Sequence, residues 1–114
     1  MQKVAPKNRT IPAILGTSNA DIYTVPNGYK VKITSMWINN MVAASRTFSL
    51  DWYEDATSTW HTLAEAVELT GNSLLQVENA IYLQAGDKLR GLASAASSIS
   101  ISVFVEEYFS PVQF

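Results

Sequence analysis

Apolar and polar residues alternate along most of this chain, and a two-residue period predicts β-strands with one buried face. The final run, Ser98–Val105, is the most regular, because isoleucine or valine fills nearly every second position. Runs of the same kind predict further strands at Ile22–Val25, Tyr29–Asn40, Arg46–Glu54, Leu75–Gln84 and Lys88–Ala93. Within Leu75–Gln84, Asn79 interrupts the inward face, which indicates a bulge or a corner.

The segment Trp60–Leu69 supports two interpretations. Its apolar positions Leu63, Val67 and Leu69 fit a strand, but residues 63–69 also have helical propensity. We favour a strand, because the neighbouring segments are strands and the following Thr-Gly-Asn at 70–72 is typical of a turn.

Two other turn sequences, Val25-Pro26-Asn27-Gly28 and Leu83-Gln84-Ala85-Gly86-Asp87, separate the predicted strands. Proline presets φ and glycine accepts a positive φ, so both sequences favour tight reversals between antiparallel neighbours. Together these signals predict an all-β fold, an antiparallel β-sandwich or jelly roll of about eight strands.

The strand Tyr29–Asn40 carries lysines on one of its faces. The two-residue period places Lys30 and Lys32 opposite the apolar side chains of Val31, Ile33 and Trp37. We interpret the lysines as a solvated edge that discourages pairing with another sheet. The alternative is that they meet an acidic surface of a partner.

The first 19 residues differ from the rest, because they combine three basic residues with two prolines and a polar end. Proline favours extended backbone before it, so we predict an extended N-terminal arm at residues 1–19, with a short strand at Ile11–Leu15. We predict a β-sandwich domain at residues 20–114, ending in a short C-terminal tail. We expect the arm to dock on a neighbouring subunit or another partner.

Composition narrows the classes of function. Charged residues make up 16% of the chain, against about 25% in a typical domain, which favours a sizeable protein–protein interface. A net charge of −2 does not predict nucleic-acid binding. No apolar run reaches the roughly 18 residues that a membrane span needs, and no apolar leader is visible at the N-terminus. The chain has no cysteine.

The sequence offers no catalytic or metal-binding constellation, so we expect a protein that is not an enzyme and needs no cofactor. His61 is the one histidine, and no nucleophile motif accompanies it. Glu106 and Glu107 are adjacent on a strand and would face opposite ways. A calcium site from Asp51, Glu54 and Asp55 is conceivable, although their spacing is not that of a dedicated calcium loop.

The aromatic residues have two interpretations. Three tryptophans and several tyrosines could form a platform on which sugars stack. In a sandwich of this size, however, such residues are more often core and interface anchors, and we favour that interpretation.

Several stretches of this sequence resemble a known group of proteins. Ile22–Asn40 reads Ile-Tyr-Thr-Val-Pro-Asn-Gly-Tyr-Lys-Val-Lys-Ile-Thr-Ser-Met-Trp-Ile-Asn-Asn, and a strand beginning Phe48-Ser-Leu-Asp-Trp-Tyr follows it. Later come an aliphatic strand that runs into Ala-Gly-Asp within Tyr82–Leu89, and the alternating strand Ser98–Val105. Over residues 20–109 the chain thus resembles small virion proteins of tailed bacteriophages.

The resemblance implies a structural protein of a phage particle, made in the host cytoplasm and located in the virion. A capsid cement, or decoration, protein fits best within that group. Such proteins are small β-sandwiches, often trimers at capsid three-fold positions, that hold adjoining capsomers by contact. The implied partners are the major capsid protein or other virion proteins, together with further copies of the chain, a trimer being favoured. The alternatives are a neck, tail or fibre-associated component, or a carbohydrate-binding adhesion module.

We predict that the partner is contacted by the basic arm, by a tryptophan and by the apolar C-terminal tail. The predicted contact residues are Lys3, Lys7, Arg9, Ile11, Trp60, Tyr108, Phe109 and Phe114.

Overall fold

Nine β-strands in two antiparallel sheets make up the part of the chain that the structure, a computed structural model, describes, namely residues 5–109. The strands are β1 (Lys7–Ile14), β2 (Ala20–Thr24), β3 (Tyr29–Asn40), β4 (Arg46–Glu54), β5 (Thr59–Leu69), β6 (Leu74–Val77), β7 (Ile81–Leu83), β8 (Lys88–Ala93) and β9 (Ile99–Phe109). The prediction of an all-β sandwich is confirmed.

The two sheets have different strand orders. In sheet A the order is β1-β9-β3, and the short strands β6 and β7 pair with successive parts of the free edge of β3. In sheet B the order is β2-β8-β4-β5. The edges of the sandwich are therefore β1 and β2 on one side, and β5, β6 and β7 on the other.

The core lies between the inward faces of the two sheets. Along β9, Ile99, Ile101, Val103 and Val105 are all buried, as their two-residue period predicts. They meet Phe48, Leu50 and Leu89 of sheet B within one apolar cluster. Burying side chains of this size contributes about 1.5–3 kcal/mol each, so this cluster is the main source of stability.

Two segments with uncertain predictions are resolved by the fold. Residues 59–69 form the edge strand β5, so the strand interpretation was correct. The predicted strand Leu75–Gln84 divides into β6 and β7, and Asn79 lies in the connection between them. Bulges interrupt the pairing of β5 with β4 around Leu50, and Ala66 in β5 has φ of 48°.

Trp37 lies on the outer face of sheet A, and its predicted inward orientation is wrong. The register of β3 with β9 shifts between Ile33 and Ser35, which leaves Thr34 as an extra residue. Such a bulge moves every later side chain to the opposite face. Met36 and Ile38 are therefore buried, whereas Trp37 is 45% exposed.

The N-terminal segment contributes an edge strand. Residues 7–14 are extended and pair with β9 of the same chain, so that Lys7 lies opposite Glu107 and Ile14 opposite Ser100. Pro12 fits this position because an edge strand can lack one ladder donor. The docking of residues 1–19 onto a neighbouring subunit stays a prediction.

A buried asparagine fixes the loops at one end of the sandwich. The Nδ2 atom of Asn40 donates to the carbonyl oxygens of Ala44, Leu69 and Thr70 at 2.9, 3.1 and 3.2 Å. Its Oδ1 accepts a hydrogen bond from the backbone N–H of Val42 at 3.1 Å. One side chain thus joins the loop after β3 to the turn after β5.

A buried aspartate has the same role at the other end. The two carboxylate oxygens of Asp87 accept hydrogen bonds from the backbone N–H groups of Asp55 at 2.9 Å and Gln84 at 2.8 Å. Gly86 beside it has φ of 88°, and a Cβ there would lie 2.7 Å from the carboxyl carbon of Asp55. The predicted turn at 83–87 is therefore packed closely against the turn after β4.

Candidate contact surface

Large apolar side chains lie on the outer face of sheet A, and most of them are exposed, whereas Phe104 is partly buried. We call this set the aromatic face; its members are Ile14, Trp37, Leu74, Tyr82, Phe104 and Tyr108. Ile14 is 65% exposed, Tyr82 67% and Leu74 49%. A single exposed apolar residue is ordinary, whereas several on one face of a sheet favour a surface that contacts another protein.

Strand register arranges these side chains in rows across sheet A. One row crosses the successive strands β1, β9, β3 and β6, and its members are Ile14, Ser100, Asn39 and Leu74. In the next row Trp37 lies opposite Ser102. Paired residues share a face of the sheet, so these side chains are neighbours. Because the serines are small, the larger side chains beside them project further from the sheet.

The centre of the aromatic face is an aromatic pair. The rings of Trp37 and Phe104 are edge to face, with centroids 5.4 Å apart and an interplanar angle of 75°. This arrangement is the favourable one for two ring quadrupoles. It holds Trp37 in a defined position although the residue is half exposed.

A groove with lysines lies at one end of the aromatic face. It has a volume of about 480 Å³ and is lined chiefly by Lys30, Lys32, Tyr82, Tyr108 and Phe109. We call it the basic groove. The Nζ atom of Lys32 is 6.0 Å from the centroid of the Tyr82 ring, at the outer limit of a cation–π contact.

Tyr108 is oriented within the basic groove by an acidic neighbour. Its hydroxyl donates a hydrogen bond of 2.7 Å to Oε1 of Glu106. This hydrogen bond to the carboxylate is the main reason that the pKa of Tyr108 is raised. The Tyr108 ring therefore lies in the basic groove with its hydroxyl already hydrogen-bonded to Glu106.

Trp60 belongs to a different surface, the outer face of sheet B. Its ring is covered by the guanidinium of Arg90, whose Cζ lies 3.7 Å from the ring centroid. The Nε atom of Arg90 also donates to Oδ2 of Asp51 at 3.0 Å. Tyr53 packs beside Trp60 at a centroid separation of 4.9 Å. Because Arg90 occupies one ring face, only the other remains for a sugar or a protein.

Arg9 lies at the outer edge of sheet A and binds a buried carboxylate. Its Nη1 atom donates to Oε2 of Glu107 at 3.1 Å, and the Glu107 side chain is 4% exposed. The hydroxyl of Tyr23 donates to the same oxygen at 2.5 Å. Burial of Tyr23, followed by its hydrogen bond to Glu107, raises the pKa of Tyr23 strongly.

His61 lies on β5 and pairs with a glutamate of β4. Its Nε2 lies 3.1 Å from Oε1 of Glu54, and its ring stacks on Trp52 with centroids 4.7 Å apart. Hydrogen bonds from His61 and Thr57 lower the pKa of Glu54. Within residues 5–109, no three His, Asp or Glu side chains are grouped so that they could hold a metal ion.

An apolar cleft opens at the edge of the sandwich between β5 and the pair β6 and β7. It has a volume of about 300 Å³, and Asn79 is the only polar residue that lines it within residues 5–109. The lining includes the buried core residues Met36, Ile38 and Phe48, together with Leu63 and Ile81 at the rim. We call it the edge cleft.

The predicted contact residues fall on three surfaces. Tyr108 and Phe109 meet at the basic groove. Lys7, Arg9 and Ile11 lie on β1 at the opposite edge of sheet A, where Lys7 is exposed and Ile11 packs partly on the core. Trp60 lies on sheet B. Lys3 and Phe114 lie outside the described residues.

Sequence reasoning did not include five members of the aromatic face among the contact residues, namely Ile14, Trp37, Leu74, Tyr82 and Phe104. A signal existed for Tyr82, because the period of Ile81-Tyr82-Leu83 places the tyrosine outward. Ile14 and Leu74 are distant in sequence, and only the pairing order β1-β9-β3-β6 brings them onto one face.

No protein-family model matches the chain, and no curated protein matches its sequence. Solved structures do match its fold. One is a protein of the disulfide-linked pili that form Bacillus endospore appendages, with a TM-score of 0.59 and 13% identity over 96% of this chain and 92% of that one. Another is a chain of infectious bursal disease virus strain Gx, with a TM-score of 0.51 and 11% identity over 94% of this chain and 37% of that one.

A third match is a pentameric capsid protein isolated from metagenomic phage sequences. It shares 15% identity over 92% of this chain and 66% of that one, and its TM-score of 0.46 is too low to support an argument. Identities this low establish similarity of fold alone. Among residues 5–109 there is no helix of the length and apolarity that crossing a membrane requires.

Proposed function

We propose that this chain is a non-enzymatic structural protein of a bacteriophage particle, and specifically a capsid cement protein that binds the shell of the major capsid protein. The observation that carries the proposal is the aromatic face, on which Ile14, Trp37 and Leu74 are about half or more exposed on a single sheet. A soluble chain gains by covering such a surface with a partner.

The chemistry of the aromatic face suits contact between proteins. Aromatic side chains are enriched in the centres of interfaces, where they bury a large area at a low cost in side-chain entropy. The serines between them, Ser100 and Ser102, have short side chains that leave room for side chains of a partner. The two proteins of similar fold belong to a pilus and to a virus, which is in keeping with a role in assembly.

Binding to the phage shell distinguishes the cement role from the two alternative functions predicted from the sequence. A neck, tail or fibre-associated component would also use a contact surface, but in few copies per particle. A carbohydrate-binding module would use Trp60, whose ring is half covered by Arg90. The cement proposal therefore depends on binding to the shell itself.

The experiment is co-sedimentation of the purified chain with shells of its phage that lack it. We expect the wild type to bind and the double variant Ile14→Ser/Trp37→Ser to lose at least about tenfold in affinity, equivalent to about 1.4 kcal/mol. Leu92→Ser, at a partly buried position on sheet B outside the aromatic face, is the control and should bind normally. Equal binding by the double variant and the wild type would contradict the proposed contact surface.

A further inference from the structure

The turn between β2 and β3 presents the pair Asn27-Gly28 to solvent. The N–H of Tyr29 donates to the carbonyl oxygen of Pro26 at 3.2 Å, so Asn27 and Gly28 are the two central residues of a four-residue turn. Gly28 has φ of 81°. A positive φ at the second central position is typical of a type II turn and favours glycine there. The shape of the turn thus places a glycine directly after an asparagine.

This juxtaposition occurs once, because Asn27 is the only asparagine of the chain that a glycine follows. The side-chain amide of an asparagine can be attacked by the backbone nitrogen of the next residue, and a side chain on that residue obstructs the approach. Glycine has no Cβ and therefore obstructs it least. Asn19, in contrast, is exposed but is followed by alanine.

Both reacting groups are accessible in the folded chain. The Asn27 side chain is exposed. Within residues 5–109, the N–H of Gly28 donates to no backbone carbonyl oxygen, so no such hydrogen bond has to break before its nitrogen reacts. The 3.2 Å hydrogen bond that closes the turn is at the long end of the ordinary range. Few interactions therefore oppose the rotation that brings the Gly28 nitrogen to Cγ of Asn27.

We propose that Asn27 is a site of spontaneous deamidation in the folded chain, with solvent water as the second reactant. The backbone nitrogen of Gly28 loses its proton and forms a bond to Cγ of Asn27. The bond from Cγ to Nδ2 breaks, and Nδ2 leaves as ammonia with that proton. Water then adds to either carbonyl carbon of the resulting cyclic imide and breaks the bond from that carbon to the nitrogen. The products have aspartate or isoaspartate at position 27.

The two products change the turn differently. Each replaces a neutral amide by a carboxylate, so the net charge of −2 at pH 7 becomes one unit more negative. Aspartate leaves the backbone as it was, whereas isoaspartate adds a carbon atom to the main chain between the two central residues of the turn. Only the second product therefore alters the spacing between β2 and β3.

The segments on both sides of the turn are held in place. The N–H of Val25 donates to the carbonyl oxygen of Asp87 at 2.9 Å, and the carbonyl oxygen of Val25 accepts from the N–H of Gly86 at 3.0 Å. On the other side, the ring of Tyr29 packs edge to face on Phe109, with centroids 5.4 Å apart. An additional main-chain carbon between these anchors displaces the beginning of β3.

The test is incubation of the purified full chain in mildly alkaline buffer, followed by tryptic digestion and tandem mass spectrometry. Trypsin cleaves after Arg9 and Lys30, so one peptide, residues 10–30, contains both Asn19 and Asn27. We expect a gain of one dalton that fragment ions assign to position 27, accumulating at least about tenfold faster than at Asn19. Equal rates at Asn19 and Asn27 would overturn the inference.

The same incubation in guanidinium chloride decides whether the folded turn itself reacts. Reaction through global unfolding alone would make the native chain slower than the unfolded chain by about 10³-fold or more, because so little of it is unfolded at any moment. We expect the native rate at Asn27 to lie within about a hundredfold of the rate in denaturant. A larger difference would assign the reaction to the unfolded chain and overturn the inference.

Two variants are the controls. Asn27→Gln should show no gain in mass, because its longer side chain forms the corresponding ring far more slowly. Asn27→Asp has the new carboxylate on an ordinary backbone and should melt like the wild type. The deamidated fraction, isolated by ion exchange, should melt at a lower temperature than Asn27→Asp, and equal melting would contradict the displacement of β3. The reaction involves no partner, so its outcome does not depend on the proposed function.

Discussion

The hydroxyl of Tyr23 donates a hydrogen bond of 2.5 Å to the carboxylate of Glu107, and this contact joins the two sheets. Tyr23 lies on β2 of sheet B, whereas Glu107 lies on β9 of sheet A. Arg9 of β1 binds the same carboxylate oxygen. A buried charge without partners is costly, so these two donors make the inward position of Glu107 tolerable.

Replacing Tyr23 with phenylalanine should lower the free energy of unfolding by about 1.5–3 kcal/mol, the usual contribution of a hydrogen bond to a charged group. Urea denaturation of the two proteins measures the difference. Tyr82→Phe, at an exposed position, should change stability by less than about 0.5 kcal/mol. Equal stability of Tyr23→Phe and the wild type would mean that water replaces the hydroxyl.

The same contact predicts a loss of stability at high pH. Burial and the hydrogen bond to Glu107 raise the pKa of Tyr23 above its ordinary value of 10.0, so the folded state keeps the proton when the unfolded state has released it. The contribution is therefore fully present below about pH 10 and is lost as the pH rises further.

Urea midpoints of the wild type and Tyr23→Phe at about pH 7, 9 and 11 check this sign. The advantage of the wild type should be equal at the two lower values and smaller at the highest. An advantage that grows above about pH 10 would contradict the raised pKa of Tyr23.

Asn40→Asp should be strongly destabilising. The amide nitrogen that donates to three carbonyl oxygens would become a carboxylate oxygen, which repels them. Each carbonyl left without its donor costs about 1–3 kcal/mol. Asn39→Asp is the matched control, because Asn39 is on the outer face of β3 opposite Ser100. Similar melting temperatures for the two variants would show that the loops at this end do not depend on Asn40.

Ile101→Ala should cost about 2–5 kcal/mol, as expected for truncation of a buried aliphatic side chain. Ile101 is 1% exposed and lies between the sheets. Ser102→Ala, one residue along and on the outer face, should have little effect. A cost below about 1 kcal/mol for Ile101→Ala would mean that the faces of β9 are reversed.

Ile14→Ser should leave the fold intact while weakening contact with the partner. Ile14 is 65% exposed, so the folded chain loses little buried area when the side chain is removed. Its thermal unfolding should match that of the wild type, whereas binding to shells should fall. If the Ile14→Ser variant were unfolded, Ile14 would be needed for the stability of the fold, and the prediction would be contradicted.

The alternation of apolar and polar residues predicts most strands of this fold, because each sheet has one buried and one exposed face. The bulge at Thr34 could not be predicted, since Met36, Trp37 and Ile38 are all apolar and either register buries some of them. The orientation of Trp37 depends entirely on that bulge. One displaced residue therefore changed a core assignment into a surface assignment.

The inward position of Glu107 extends the period of Ile99–Val105, but its partners could not be found from sequence. Arg9 and Tyr23 are 98 and 84 residues away along the chain. The aromatic face likewise could not be found from sequence, because it is assembled from five strands whose pairing order no local pattern encodes. Local periodicity thus predicts which residues of a strand point inward, whereas the strand order of the sheets decides which side chains become neighbours.

The proposed cement role is tested most directly by the number of copies of this chain per purified particle, measured by quantitative mass spectrometry against the major capsid protein. We predict hundreds of copies per particle, in fixed proportion to the capsid protein, because a cement protein occupies every equivalent position of the shell. Only a few copies, in a small multiple of three or six, would place the chain at a neck or tail and contradict the proposal.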